Sequence, residues 1–175
     1  MRHMRADLPR FALSVRQPSA WAILHGGKDI ENRTVGSVQA GRMEPGRICI
    51  HAAVGLTQKE WHYLVCRFGE IGCAVPPAAS LVRRSIIGTV EVVDIVSADQ
   101  TDSVWMSRSD SLMRGLVLRD PEPIEPIPAA GALGYFEWEA SGALAEPLAW
   151  MGDGGAGDLF GAALPSFKAP PERPW

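Results

Sequence analysis

The feature that most limits what this chain can become is residues 85–97, where Ile86, Ile87, Val90, Val92, Val93, Ile95 and Val96 crowd into one segment. β-Branched side chains are stiff at χ1 and suit a pleated surface better than a helix, so the run reads as a strand. Apolar residues fall on both of its faces, whereas a strand wetted on one side would alternate. It must therefore be covered on both sides, as a strand curling through a small barrel beneath helices is. Gly88 interrupts the run and marks a bend.

The rest of the chain supplies partners for that strand. Residues 11–15 and 47–52 are short β-prone runs, as are 116–118 and 135–139. Pro18 opens a helix at no cost in hydrogen bonds and Gly26 stops it, giving about residues 18–25, with Trp21 on its core side. Thr57-Gln58-Lys59-Glu60 is a capping box, after which Trp61, Leu64, Val65 and Phe68 recur at helical spacing until Gly69. Residues 36–46 read as a polar loop with Arg42, 71–80 as a Pro/Ala loop, and 101–114 as a polar stretch with a short helix carrying Trp105. Pro121, Pro123, Pro126 and Pro128 force the link before the last strand to run extended. Separated strands with a few short helices give an α+β fold, a small β-barrel flanked by short helices, over residues 11–140. Residues 141–175 form a Gly/Pro/Ala-rich extension, in which Trp150, Phe160 and Trp175 mark places that pack and 169–174 a loose end.

A chain of 175 residues that is 46% hydrophobic and 21% charged is long enough for one domain with a real core. No apolar run reaches the length of a membrane span, and the first residues lack the apolar region of a signal peptide, so a cytoplasmic protein is expected. Cys49, Cys66 and Cys73 form no CxxC pair and read as buried thiols. Cys49 and His51 share a strand face, and His62 and Cys66 stand four apart on a helix, but nothing converges them, so neither metal nor cofactor is expected. Residues 152–158, rich in Gly and Asp, have no strand before them and no Gly-Lys-Ser/Thr after, which makes them a turn. Arg83 and Arg84 read as a solvated strand start.

Charge is unevenly spread over the net −3. Residues 1–51 carry eight Lys/Arg against four Asp/Glu, or +4, and the remainder carries −7. The basic third holds the densest polar motif, Gly26-Gly27-Lys28-Asp29-Ile30-Glu31-Asn32-Arg33. Two glycines let the backbone turn through φ > 0, and the lysine, glutamate and arginine that follow offer a point charge, an acceptor and a planar fork. On a strand Asp29, Glu31 and Arg33 share one face, so a site that uses both Lys28 and Glu31 needs Lys28 in the turn or a bulge between them. A solvated edge strand with a local ion pair and a site for a polar ligand both fit this spacing.

Leu13-Ser14-Val15-Arg16-Gln17-Pro18, Gly26-x-Lys28-x-x-Glu31-x-Arg33, Ile50-His51-Ala52, Gly88-Thr89-Val90 and Gly131-Ala132-Leu133-Gly134, in that order, resemble the ASCH domain, a branch of the PUA-like superfamily. The resemblance covers about residues 11–139 and implies a small PUA-like β-barrel with a cleft near the GxKxxExR segment. It implies Lys28, Glu31 and Arg33 as cleft residues with Arg16 and Gln17 beside them, and Gly26, Asn32 and His51 complete the candidate ligand-binding set. Relatives are thought to bind RNA or modified nucleosides, and some act as ribonucleases or as amidohydrolases on N4-acylated cytidine. This chain departs from the amidohydrolase pattern at Glu31, where a threonine would stand, and carries Ser19 and Val35 where tryptophans are common. Two functions follow as expectations. One is a module binding RNA or a modified nucleotide. The other is an enzyme in the same cleft, with Lys28 stabilising charge or activating water and Glu31 or His51 as base. Neither an oligomeric state nor the identity of the base is indicated.

Overall fold

The computed structural model describes residues 8–152. The expectations for Phe160, Trp175 and the rest of 153–175, including most of the Gly/Asp turn, lie outside the described residues. In chain order the elements are β1 (Phe11–Val15), α1 (Ser19–His25), β2 (Ile30–Thr34), α2 (Val35–Ala40), β3 (Gly46–Ala52), α3 (Gln58–Glu70), β4 (Ser85–Val96), β5 (Met113–Pro128) and β6 (Tyr135–Glu137). The strands form one mixed, curled sheet in the order β2-β5-β4-β3-β1-β6, with β1 parallel to β3 and the other pairs antiparallel. This is the small α+β half-barrel that the sequence led us to expect. Among the described residues no helix is long and apolar enough to cross a membrane.

The β-branched run is covered on both faces as far as Val92, beyond which Val93 is exposed. Ile87, Val90 and Val92 enter the main core with Leu13, Val15, Ile23, Leu24, Ile50 and Leu116, while Ile86 meets Ala12, Cys49 and Ala129 on the other side. Gly88 sits where the β4–β5 register shifts, and a Cβ there would lie 2.6 Å from both methyls of Leu24. The missing side chain is thus what lets α1 lie close on the sheet. Trp61 and Phe68 bury one face of α3, whose N-terminus is capped by Thr57 accepting from the Glu60 N–H. The Glu60 side chain serves elsewhere, as shown below.

Several expectations need correction. Residues 35–40 form α2 rather than loop, because Thr34 Oγ1 accepts from the Ser37 N–H at 3.1 Å and starts a turn that Gly36 had disguised. The proline-rich link is no link: β5 runs unbroken from Met113, and its proline half pairs with β4 on one side while β2 covers only residues 113–117. Prolines lacking N–H groups are tolerated on such an edge. Trp105 lies in a turn, not on a helix, and its ring meets Phe68 edge-on at 4.9 Å. Cys66 is exposed, whereas Cys49 and Cys73 are buried, and burial pushes the Cys49 thiol up to about 11. Arg83 is not solvated, and Arg84 is only partly so. Arg83 is 3% exposed and donates to the carbonyls of Val54 and Glu146, and Arg84 donates to those of Ser141 and Ala143. These bonds strap residues 141–146 to the sheet, and Met151 and Trp150 pack beside Trp61.

The two outer strands do not pair with each other, so the sheet leaves a seam. Side chains and turns cross it instead. Tyr135 N–H donates to Gly41 O at 3.0 Å, with Gly41 and Gly134 so close that a Cβ on either would lie within 2.7 Å of the other's Cα. Arg33 of β2 crosses the same gap to Ser14 of β1.

Candidate functional site

The site begins at the end of α1. Gly26 N–H and Lys28 N–H both donate to Ala22 O, at 2.8 and 3.0 Å, with Gly27 between them at φ 71°. Only a residue free of a Cβ penalty makes that turn cheaply. Lys28 is therefore in the turn, and its side chain folds back along β2, which removes the difficulty of opposite strand faces. The ammonium is buried, donates to Ile30 O, lies 3.5 Å from Glu31 Oε2 and sits 5.5 Å above the Trp105 ring. Burial holds its pKa below the usual lysine value, Glu31 opposes that shift, and Arg33 adds to it.

Glu31 joins the buried lysine to the surface. Its other oxygen, Oε1, takes Arg33 Nη2 at 3.0 Å, and the same Nη2 donates to Ser14 O at 2.7 Å. Arg33 Nε is buried and has no acceptor. The guanidinium is thus held on one edge while a donor stays uncommitted. Arg16, at the end of β1, is paired with Glu60 of α3 at 2.8 Å and stands over Gly55.

Between these groups lies a cleft of 710 Å³. Arg16, Glu31, Arg33 and His51 line it together with Val15, Val54, Leu64 and Leu133, so polar groups converge over an apolar wall. Volumes of about 300–1,000 Å³ are usual for small-molecule sites. Three cations (Arg16, Lys28, Arg33) stand against two carboxylates (Glu31, Glu60) in and under it.

His51 forms the floor. It is 1% exposed, and both ring nitrogens are engaged: Nε2 with Ala129 O at 3.1 Å and Nδ1 with Ser14 Oγ at 3.0 Å. A carbonyl only accepts, so Nε2 carries the proton, and Nδ1 accepts from the Ser14 hydroxyl. Burial, aided by Arg84, holds the His51 pKa below 6.5, against the pull of the Ala129 carbonyl.

No family model matches the chain, and no curated protein does. Solved structures of ASCH from Zymomonas mobilis are similar to it, the first with 21% identity and a TM-score of 0.38 over 67% of this chain and 72% of that one. The chain is similar to ASCH structures. A serine-to-alanine variant of that protein gives 20% identity, a TM-score of 0.39 and the same shares, and a tyrosine-to-phenylalanine variant gives 21% and 0.38, with 74% of that chain covered.

Of the candidate residues, Arg16, Glu31, Asn32, Arg33 and His51 come together around the cleft, whereas Gln17, Gly26 and Lys28 do not line it. Gln17 is buried and spends its amide on Val82 O and the Trp21 N–H. Gly26 serves packing, since a Cβ there would lie 2.9 Å from Ala22 Cα and Cys73 Sγ. Asn32 has its amide committed to Trp105 O and the Ser107 N–H, clamping the 103–107 turn. Ser14, Glu60 and Gly131 were not foreseen as site residues. Ser14 is the only polar residue in the strand Phe-Ala-Leu-Ser-Val, which is a signal that could have found it. Among the described residues no group of three or more His, Cys, Asp or Glu is placed to hold a metal.

Proposed function

We propose that the cleft binds RNA or a modified nucleotide, one nucleotide entering at a time. The observation that carries this reading is Arg33, whose guanidinium is fixed in advance by Glu31 and Ser14 O at the wall of a 710 Å³ cleft. A preorganised planar fork is suited to a phosphate or carboxylate, and holding it in advance lowers the ordering cost of binding. The slight excess of cations favours an anion, and the apolar wall from Val15 to Leu133 suits a base or sugar face. Lys28 is buried beneath Glu31, so its part is electrostatic support for the pair above it rather than contact with the ligand. That position favours binding over chemistry centred on Lys28.

Titration of the protein with a panel of nucleoside monophosphates, modified nucleotides and short RNA oligomers tests the reading. Arg33→Ala should weaken the best ligand about 10- to 100-fold, the loss expected for a hydrogen bond to a charged group. Repeating the titration at several salt concentrations counts phosphates, because log K falls by about 0.7 per phosphate for each tenfold rise in salt for a single strand. Absence of binding across the panel, or an affinity that Arg33→Ala leaves unchanged, would overturn the proposal.

A further inference from the structure

The cleft contains a hydroxyl and an imidazole that nucleotide binding does not use. Ser14 and His51 are direct partners in the parallel β1–β3 pairing, so the two strands present them side by side, Oγ to Nδ1 at 3.0 Å. Both line the cleft. The far nitrogen of the ring is tied to Ala129 O, which fixes the tautomer: Nδ1 has a lone pair and points it at the serine. A nucleophile, a base and a third group that orients the base are the parts that acyl transfer requires. The third group is a neutral carbonyl rather than a carboxylate. It sets the orientation but gives less support to an imidazolium.

Two neighbours complete the setting. Arg33, whose Nη2 is 2.7 Å from the carbonyl of Ser14 itself, has its buried Nε without an acceptor. Gly131 brings backbone against the pair so closely that a Cβ would lie 2.5 Å from His51 Cε1 and 2.7 Å from Ser14 Oγ. We propose that Ser14 and His51 are a nucleophile and general base for the hydrolysis of a small carboxylic ester in the cleft, its acyl group on the Val15–Leu64 wall and an anionic group toward Arg33.

In the first step Ser14 Oγ bonds to the ester carbonyl carbon as its proton passes to His51 Nδ1, and the carbonyl oxygen takes the negative charge. Collapse of this intermediate breaks the carbon–oxygen bond to the alcohol, which leaves with the proton from Nδ1. Water then gives a proton to Nδ1 and bonds to the acyl carbon. A second collapse returns that proton to Ser14 Oγ and releases the carboxylic acid. No other reactant is consumed. Because His51 is neutral at pH 7, the base is ready without prior deprotonation.

The test does not depend on the nucleotide that the cleft holds. A fluorophosphonate probe should add one phosphonyl group, located by peptide mass spectrometry on Ser14, and p-nitrophenyl acetate should be hydrolysed. Ser14→Ala, a small change that leaves the strand pairing intact, should abolish the adduct and cut hydrolysis by about 100-fold or more. The labelling rate should be level above pH 7 and fall in acid below 6.5, as Nδ1 gains its proton. A folded wild-type protein with no adduct on Ser14, or hydrolysis that Ser14→Ala leaves unchanged, would overturn the proposal. Nucleotide titration of the same Ser14→Ala protein reports separately on the binding reading.

Discussion

Replacing Lys28 and Glu31 in turn should give unequal losses, because the two ends of the buried pair are differently insured. Glu31 touches two cations, Lys28 at 3.5 Å and Arg33 at 3.0 Å, and its side chain is 10% exposed. Glu31→Gln leaves both cations without a counter-ion, and orphaning a buried charge costs about 3–5 kcal/mol. Lys28→Met removes a cation but leaves the carboxylate with Arg33, and a methionine fills much the same space. What is lost is the charged hydrogen bond to Ile30 O, worth about 1.5–3 kcal/mol, and part of that returns because the ammonium need no longer be desolvated. The lowered Lys28 pKa has the same cause: burial outweighs the attraction of Glu31. Its folded value lies below 10.5, so between those two pH values the unfolded chain binds more protons and stability rises with pH. Lys28→Met should flatten that alkaline rise. Urea unfolding monitored by tryptophan fluorescence at pH 7 and across the alkaline range gives both quantities. Equal losses for the two variants, or a rise that persists in Lys28→Met, would refute the argument.

Gly131→Ala forces a methyl to within 3 Å of a histidine pinned at both nitrogens, and overpacking of that kind costs about 1–3 kcal/mol. Its control is Gly36→Ala in α2, where a Cβ meets nothing within 4 Å, and which should gain roughly 0.5–1 kcal/mol in the same urea titration. His51 makes the fold acid-sensitive: with its folded pKa below 6.5 the unfolded chain takes up more protons beneath that pH, so stability falls as pH drops, by at most about 1.4 kcal/mol per unit. Thermal melts between pH 7 and 5 should show this fall in the wild type and less of it in His51→Gln. Arg83→Met strands the carbonyls of Val54 and Glu146, and should raise amide exchange in residues 141–151 with a loss of about 1.5–3 kcal/mol. Unchanged exchange there would mean that the strap is held by Met151 and Trp150 alone.

The parts of this fold that were legible in the sequence are those decided by local chemistry. The β-branched run announced β4, and Thr57 announced α3, because stiffness at χ1 and a capping hydroxyl act within a few residues. Gly26 and Gly27 likewise made a turn at Lys28 one of two arrangements, a bulge being the other, that bring it to Glu31, and the turn is the one that forms. Where partners are far apart in sequence, the reading failed. Arg83 looked like a surface charge because its acceptors come from residues 54 and 146. The prolines of β5 looked like a linker because their tolerance depends on an edge that only the sheet order reveals. Gln17 is a candidate ligand contact by its position, yet an amide satisfies a buried carbonyl equally well, and spacing cannot tell the two uses apart. Ser14 and His51 meet through a parallel pairing 37 residues apart, which no local pattern encodes.

The seam explains why fold and site coincide. An open sheet curled this far must hold its outer strands together without ladder hydrogen bonds, and Arg33 to Ser14 O is one of the bonds that does so. The guanidinium is then at once a structural clasp and a cation of the cleft wall, and its charge is balanced by Glu31, a carboxylate it shares with Lys28. A buried ion triad is a poor source of stability, since desolvation consumes most of the attraction. Apolar residues at 28, 31 and 33 could close a seam at lower cost. Retention of three ions at this point makes physical sense if the cleft needs a cation already oriented before any ligand arrives.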